Sequence, residues 1–206
     1  MSWEVHVQFL ESLGVRFLWA THHVAAFQSR SEAEAFVSML RGRLAKFGLK
    51  VNEEKSQTIA FGRYVWQKAQ KGGTKPKVFD FLGFTHYCDR TRKGKFKLGR
   101  KTAKAKFIQK AKELNQWLKK VRNLVKLKQW WKVLGVKLLG HYRYYGISGN
   151  YRELKKYYKL AINLALKWIN RRSQKKSYNW TQYNRYLKYN PLPEPKIYHL
   201  TYALSS

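Results

Sequence analysis

Acidic side chains are scarce in this sequence. Its 206 residues include 11 Asp plus Glu against 43 Lys plus Arg, a formal net charge of +32. Only two of the acids are aspartates, Asp80 and Asp89, so chemistry that needs clustered carboxylates around hard divalent cations has few candidates. Cysteine is almost missing too. Cys88 stands alone, which excludes an intramolecular disulfide and a cysteine-rich zinc ribbon. No apolar run approaches the ~20 residues a bilayer-spanning helix needs. Met1 to Leu10 has no basic start and carries Glu4, so it does not read as a signal peptide. The expectation is a soluble chain in a reducing, cytoplasmic compartment, without a membrane partner. What is not scarce is apolar and aromatic residues, 44% and 16% of the chain, and that excludes a disordered basic tail.

The charge is unevenly placed. Residues 1–89 hold 12 basic and 8 acidic side chains, whereas residues 90–206 hold 31 basic and 3 acidic. This predicts two domains, 1–89 and 90–206. The second would repel itself without a polyanion partner, and nucleic acid is the natural one because each phosphate neutralised releases condensed counterion. A single Lys run reads more readily as a solvated helix face, but 31 against 3 is more than one run.

The coarse pattern predicts an α+β chain. Ser31 to Phe47 reads as a helix, with Ser31 and Glu34 at capping-box spacing and Gly48 as its stop. Leu49 to Val51 and Gln57 to Phe61 read as short strands. Val15 to Phe27 reads as a buried hairpin, Lys68 to Lys77 as a loop, and Val78 to Tyr87 as strand with a bend at Gly83. From Arg100 the pattern turns helical. Ile108, Ala111, Leu114, Leu118, Val121 and Val125 form one apolar stripe. Further helices are expected from about Lys128 to Tyr145, Tyr151 to Arg172 and Trp180 to Tyr189, as a bundle of antiparallel neighbours. Pro191, Pro193 and Pro195 then forbid more helix.

Several ordered blocks resemble bacterial group II intron-encoded proteins, which are reverse transcriptases and maturases. Leu44-Ala45-Lys46-Phe47-Gly48-Leu49 with Asn52-Glu53-Glu54-Lys55, then Phe61-Gly62-Arg63, is similar to a helix-to-strand passage of that family's palm. Phe79-Asp80-Phe81-Leu82-Gly83-Phe84-Thr85-His86 resembles the block at the palm–thumb junction, which implies a place near primer–template for Phe81, Leu82, Gly83 and Phe84. Arg100-Lys101-Thr102 follows. Leu139-Gly140-His141-Tyr142-Arg143-Tyr144-Tyr145-Gly146 through Asn150, and Lys167-Trp168-Ile169-Asn170-Arg171-Arg172-Ser173, resemble the maturase-specific region. Pro191-Leu192-Pro193 through His199 resembles the family's C-terminal end. The implied fold is a partial palm of short antiparallel strands plus a helix, followed by a basic helical thumb and maturase bundle.

The departures carry as much weight. The family's Tyr-Ala-Asp-Asp box aligns on Trp19-Ala20-Thr21-His22, so both metal-binding aspartates are absent. The fingers and the first half of the palm have no counterpart. The sequence thus reads as a truncated family member in which Thr21 and His22 mark a degenerate catalytic position. Residues 1–23 stay open to a second account, a shifted reading frame. His22 and His23 are a weak metal pair, since neighbours on a strand point to opposite faces. The resemblance implies an RNA-binding, maturase-like fragment that binds group II intron RNA and assists splicing, with polymerase chemistry lost and no cofactor. Magnesium would be needed only for polymerase activity. The alternative is an RNA-directed DNA polymerase subunit, active on an RNA–DNA duplex only when a separate N-terminal half completes it.

Candidate RNA contacts lie in the helical part, where cations can follow phosphates and aromatic planes can stack on unpaired bases. They are Arg100, Lys101, Lys104, Lys119, Lys120, Arg122, His141, Arg143, Tyr144, Arg171, Arg172, Lys175 and Lys176. Tyr142 and Tyr145, three apart, read equally well as core. Arg171 and Arg172 read equally well as cations at the negative end of a helix dipole. Gly146 and Gly149 read as turn residues, and Trp117, Trp130, Trp131 and Trp168 as mostly core.

Overall fold

The structure is a computed structural model that describes residues 5–10, 23–52, 56–171 and 177–200, with backbone alone for 5–10 and 23. It is a mixed α+β chain with six helices among the described residues. It divides into two units, Met1–Gly99 and Arg100–Ser206. The charge boundary at 89/90 therefore falls inside a strand, Phe84–Arg90. Charge follows the surface and compactness follows the core, so the two need not change at the same residue.

In the first unit, β1 (Val5–Leu10), β2 (His23–Phe27) and β3 (Gln57–Phe61) form an antiparallel sheet in the order β2-β1-β3. Val7 stands opposite Ala26 on one side and Ile59 on the other. Of the hairpin expected over Val15 to Phe27, residues 15–22 lie outside the described residues; its described part is β2, which pairs with β1. Leu49 to Val51 is not a strand. Helix α1 spans Arg30–Ala45 and is capped by Ser29 rather than Ser31. Ser29 Oγ accepts from the Glu32 amide at 3.2 Å, and Glu32 accepts in turn from the Gln28 amide at 3.2 Å. The same Ser-x-x-Glu chemistry thus operates two residues earlier than expected. Gly48, at φ +68, supplies the left-handed stop that the sequence announces.

Helix α2 (Arg63–Gln70) occupies a stretch to which the sequence pattern assigns no element and runs on past Lys68, so the loop starts at Lys71 rather than Lys68. β4 (Phe79–Phe81), β5 (Phe84–Arg90) and β6 (Phe96–Thr102) form a second sheet in that order. Leu82 and Gly83 make the two-residue β4–β5 turn, at φ +48 and +79. Positive φ at both positions is what a tight hairpin of right-twisted strands demands; Gly83 meets it freely, and Leu82 does so against its Cβ. The two sheets share a small core. Ile59 and Phe61 are buried, with Val24, Phe79, Phe81, Cys88 and Leu98 packed on them. Cys88 lies 3.8 Å from the Gly62 carbonyl, and burial raises its pKa, so it behaves as a packing residue.

The second unit holds α3 (Lys104–Leu124), α4 (Leu127–Tyr145), α5 (Tyr151–Ile169) and α6 (Trp180–Tyr189). Arg100 and Lys101 lie on β6, not on a helix. Leu114 and Leu118 are the buried centre of the α3 stripe, but Ile108 is 42% exposed. α5 stops at Asn170, short of Arg172. Asn170 Nδ2 donates to the Tyr178 carbonyl and its Oδ1 accepts from the Tyr178 amide, both at 2.8 Å. Asn179 and Gln182 then cap α6 reciprocally, at 2.8 and 3.0 Å.

As expected, α3 and α4 run antiparallel, with Lys137 against Trp117 and His141 near Lys110, but the main packing partner of α3 is α5, which runs parallel to it. Near their starts, Phe107 meets Tyr157 edge-on at 6.0 Å. Near the end of α5, Trp168 Nε1 donates to Asn115 Oδ1, midway along α3, at 2.9 Å, and its ring meets Arg122 of the last turn of α3. Asn150 fastens the beginning of this pair. Fully buried, it accepts from the Thr102 amide at 2.9 Å and donates to Thr102 Oγ1 at 2.8 Å and the Tyr145 carbonyl at 2.9 Å. Beyond α6 the extended segment after Asn190 runs along α4. Trp131 Nε1 donates to the Asn190 carbonyl at 3.0 Å, and the Tyr198 and His199 amides donate to the Gly146 carbonyl at 2.7 and 2.9 Å. A Cβ at Gly146 would collide with the Tyr142 carbonyl and stand 2.8 Å from that of Lys196, so this glycine is set by close approach.

Candidate nucleic-acid interface

The parallel run of α3 and α5 sorts the expected RNA contacts. Helices that start together also end together, so the C-terminal turns of α3 and α5 lie at one end of the unit. Their N-terminal turns lie at the other, with the end of α4. From Lys104 to Arg122 is about 27 Å at the α-helical rise. Arg100, Lys101, Lys104, Arg143 and Tyr144 fall at the first end. Lys119, Lys120, Arg122 and Arg171 fall at the second.

At the first end, Lys104 is exposed on the opening turn of α3, and Lys101 is exposed on β6. Arg100 is half-buried, with an Nε that has no hydrogen-bond partner among the described residues. Arg143 is exposed; its carbonyl accepts from His199 Nε2 at 2.7 Å, which ties the C-terminal segment to α4 and leaves the guanidinium outward. Tyr144 is 54% exposed, its ring edge-on to Tyr145 at 4.7 Å. Tyr142 and Tyr145 are core, and burial raises both phenol pKa values.

His141 is corrected from RNA contact to core. It is 8% exposed and stacks on Tyr157 with ring centroids 3.8 Å apart and planes 13° from parallel. Burial, with the Lys110 charge second, lowers its pKa to about 4. It is therefore neutral at pH 7 and cannot serve as a phosphate cation. Burial pushes the Tyr157 phenol up to about 12, so the stacked pair carries no charge.

At the second end, Lys119 and Lys120 are exposed on α3. Arg122 is half-buried, its guanidinium carbon 4.6 Å from the centre of the Trp168 ring. Arg171 is exposed and lies 5.6 Å from the same ring. Lys167, which the sequence reading did not single out, lies 5.2 Å from it. Its proximity to Trp168 is legible in the sequence; that Arg122 joins them from 46 positions away is not. Along the outer face of α5, Arg152, Lys156, Lys159 and Lys167 recur at helical intervals. On α4, Lys137 lies 5.0 Å over half-buried Trp117, while Trp180 at the start of α6 is exposed.

Arg172, Lys175 and Lys176 lie outside the described residues, as do Thr21 and His22. Phe81, Leu82, Gly83 and Phe84 form the β4–β5 turn in the first unit; the two phenylalanines are half-buried and Leu82 is 60% exposed. Among the described residues, no three His, Cys, Asp or Glu side chains gather as a metal site, and no helix is long and apolar enough to cross a membrane. Comparison with protein-family models, curated proteins and solved structures gives no match to this chain.

Proposed function

We propose that this chain binds structured RNA, group II intron RNA foremost, as a maturase-like fragment that has lost polymerase chemistry. The observation that carries the reading is the charge of the helical unit. From Arg100 to Ser206 there are 26 basic and three acidic side chains, a net of +23. Three carboxylates cannot neutralise 26 cations whatever pairs they form, and release of counterions from phosphate supplies the missing free energy. The ordered sequence blocks narrow the partner from polyanions to intron RNA, with residues 1–89 as a palm remnant and the helices as thumb and maturase region. Such a protein assists splicing by holding the RNA in its competent fold, through differential affinity and without metal-binding carboxylates.

The test is binding of the full chain to a group II intron RNA and to a random RNA of equal length, at two salt concentrations. Engagement of about six to eight phosphates gives a slope of log affinity against log salt of roughly −4 to −7, with the intron RNA bound more tightly. A slope near zero, or equal binding of the two RNAs, rejects the reading.

One observation favours a second reading, a polymerase subunit completed by a separate N-terminal half. Among the described side chains of the first unit, only Ala33, Ile59 and Phe61 are buried apolar residues, a core that another polypeptide would extend. Complementary-DNA synthesis with magnesium, on mixing the chain with such a half, would separate this reading from the first.

A further inference from the structure

We infer that Arg122, Lys167 and Arg171 form a phosphate-binding site whose floor is the Trp168 ring. This extends the RNA-binding reading to one position, and one arm of the test below does not depend on that reading. The three cations stand 4.6, 5.2 and 5.6 Å from the centre of one indole. A ring has two faces, so at least two of the three share one. A single cation at each helix end is accounted for by the helix dipole. Three on one ring are not, because the attraction of one π system is shared while the repulsion among the cations accumulates.

Within the helical unit, the three acidic side chains are engaged elsewhere. Of the three acids in this unit, Glu113 pairs with Lys110 at 2.9 Å and Glu153 with Lys156 at 2.7 Å. Glu194 faces Tyr142 and Tyr158, and Tyr158 is ten residues up α5 from Trp168, about 15 Å along the helix. Arg122 Nε is buried and has no hydrogen-bond partner among the described residues. A buried donor of this kind calls for an acceptor.

The ring itself is not a stacking platform for a base, being 5% exposed. Its bond to Asn115 fixes its plane between α3 and α5, so it acts as a rigid floor. Two guanidinium forks and an ammonium over such a floor match the oxygens of a phosphoryl group. The source can be a backbone diester of RNA or a free phosphate, and the two are separable by experiment.

In the first arm, inorganic phosphate is titrated into the full chain at constant ionic strength against chloride, and the Arg122 Nε–H resonance is followed by NMR. The site predicts a saturable shift and slower exchange of that proton with water. In the second arm, an RNA strand with a 5′-hydroxyl, which offers diesters alone, is bound by R122Q, K167Q and R171Q. Each loses roughly three- to tenfold in affinity and makes the salt slope shallower by about one. The charge-matched controls K155Q and K196Q lose less than about twofold. Should R122Q fail to fold, R122K keeps the charge but not the fork, and R171Q alters an exposed side chain. A phosphate response without an RNA effect assigns the site to free phosphate. No phosphate response, together with variants indistinguishable from the controls, overturns the proposal. If the wild-type chain binds no RNA, the functional reading falls and the phosphate arm alone decides the site.

Discussion

The two units are of similar length but hold themselves together differently. Among the described side chains, the first unit buries three apolar residues, while the second buries nineteen, including Trp130, Trp131, Tyr142 and Tyr183. The first relies on two small sheets around Ile59 and Phe61. The second combines a large aromatic interior with a sequence that holds 26 cationic side chains. A cationic surface opposes compaction, so a unit carrying +23 needs the larger core. The comparison shows how strong self-repulsion can coexist with an ordered fold: large rings are buried, and a polar group such as Asn150 is held among them by three hydrogen bonds.

The contrast can be broken at several points. If each unit rests on its own core, denaturation of the full chain resolves two steps, and Trp130→Ala should lower the stability of the helical unit by about 3–5 kcal/mol. A single transition, or an equal shift of both steps, would break the comparison. Acid should act on the same unit. His141 has a folded-state pKa near 4 against an ordinary 6.5, so its contribution is constant above about pH 6.5. As pH falls from there toward 4 the unfolded chain binds the proton more readily, and about 3 kcal/mol is lost. His141→Phe keeps the stack on Tyr157 and should remove that part of the pH dependence in parallel titrations of denaturation midpoints. Asn150→Ala leaves the Thr102 amide without its acceptor and removes one of the donors to the Tyr145 carbonyl, which keeps the Ile147 amide, and should cost about 2 kcal/mol, with faster amide hydrogen exchange at Thr102. The smallest effect belongs to the first unit. Leu82→Gly relieves the left-handed strain at φ +48 and should stabilise that unit by about 1 kcal/mol, raising its midpoint and leaving the second step in place.

Much of the helical unit is legible from periodicity. The starts of α4 and α5, the whole of α6 and the proline-bound end fall where apolar spacing and breakers put them. In the first unit the reading is weaker. β1, β6 and α2 are missed because short elements with polar flanks give little periodic signal. The cap of α1 is displaced because Ser29 and Ser31 offer the same hydroxyl, and only the approach of the chain selects between them. In the candidate site, exposed Arg143, Tyr144 and Arg171 accord with expectation as surface residues, while His141 does not. A histidine among tyrosines reads as a nucleic-acid contact until a neighbouring helix is seen to cover it.

What the sequence by itself determined is the partition of charge, most of the helix boundaries in the second unit and the aromatic reserve for a core, since these depend on composition and local spacing. What only the tertiary structure decided is which helices lie side by side. Periodicity marks the apolar face of a helix but not the element that covers it. The parallel pairing of α3 and α5, the burial of His141 against Tyr157, and the meeting of Arg122 with Lys167 and Arg171 on Trp168 all follow from that pairing, because contacts between distant positions are set by how the faces dock.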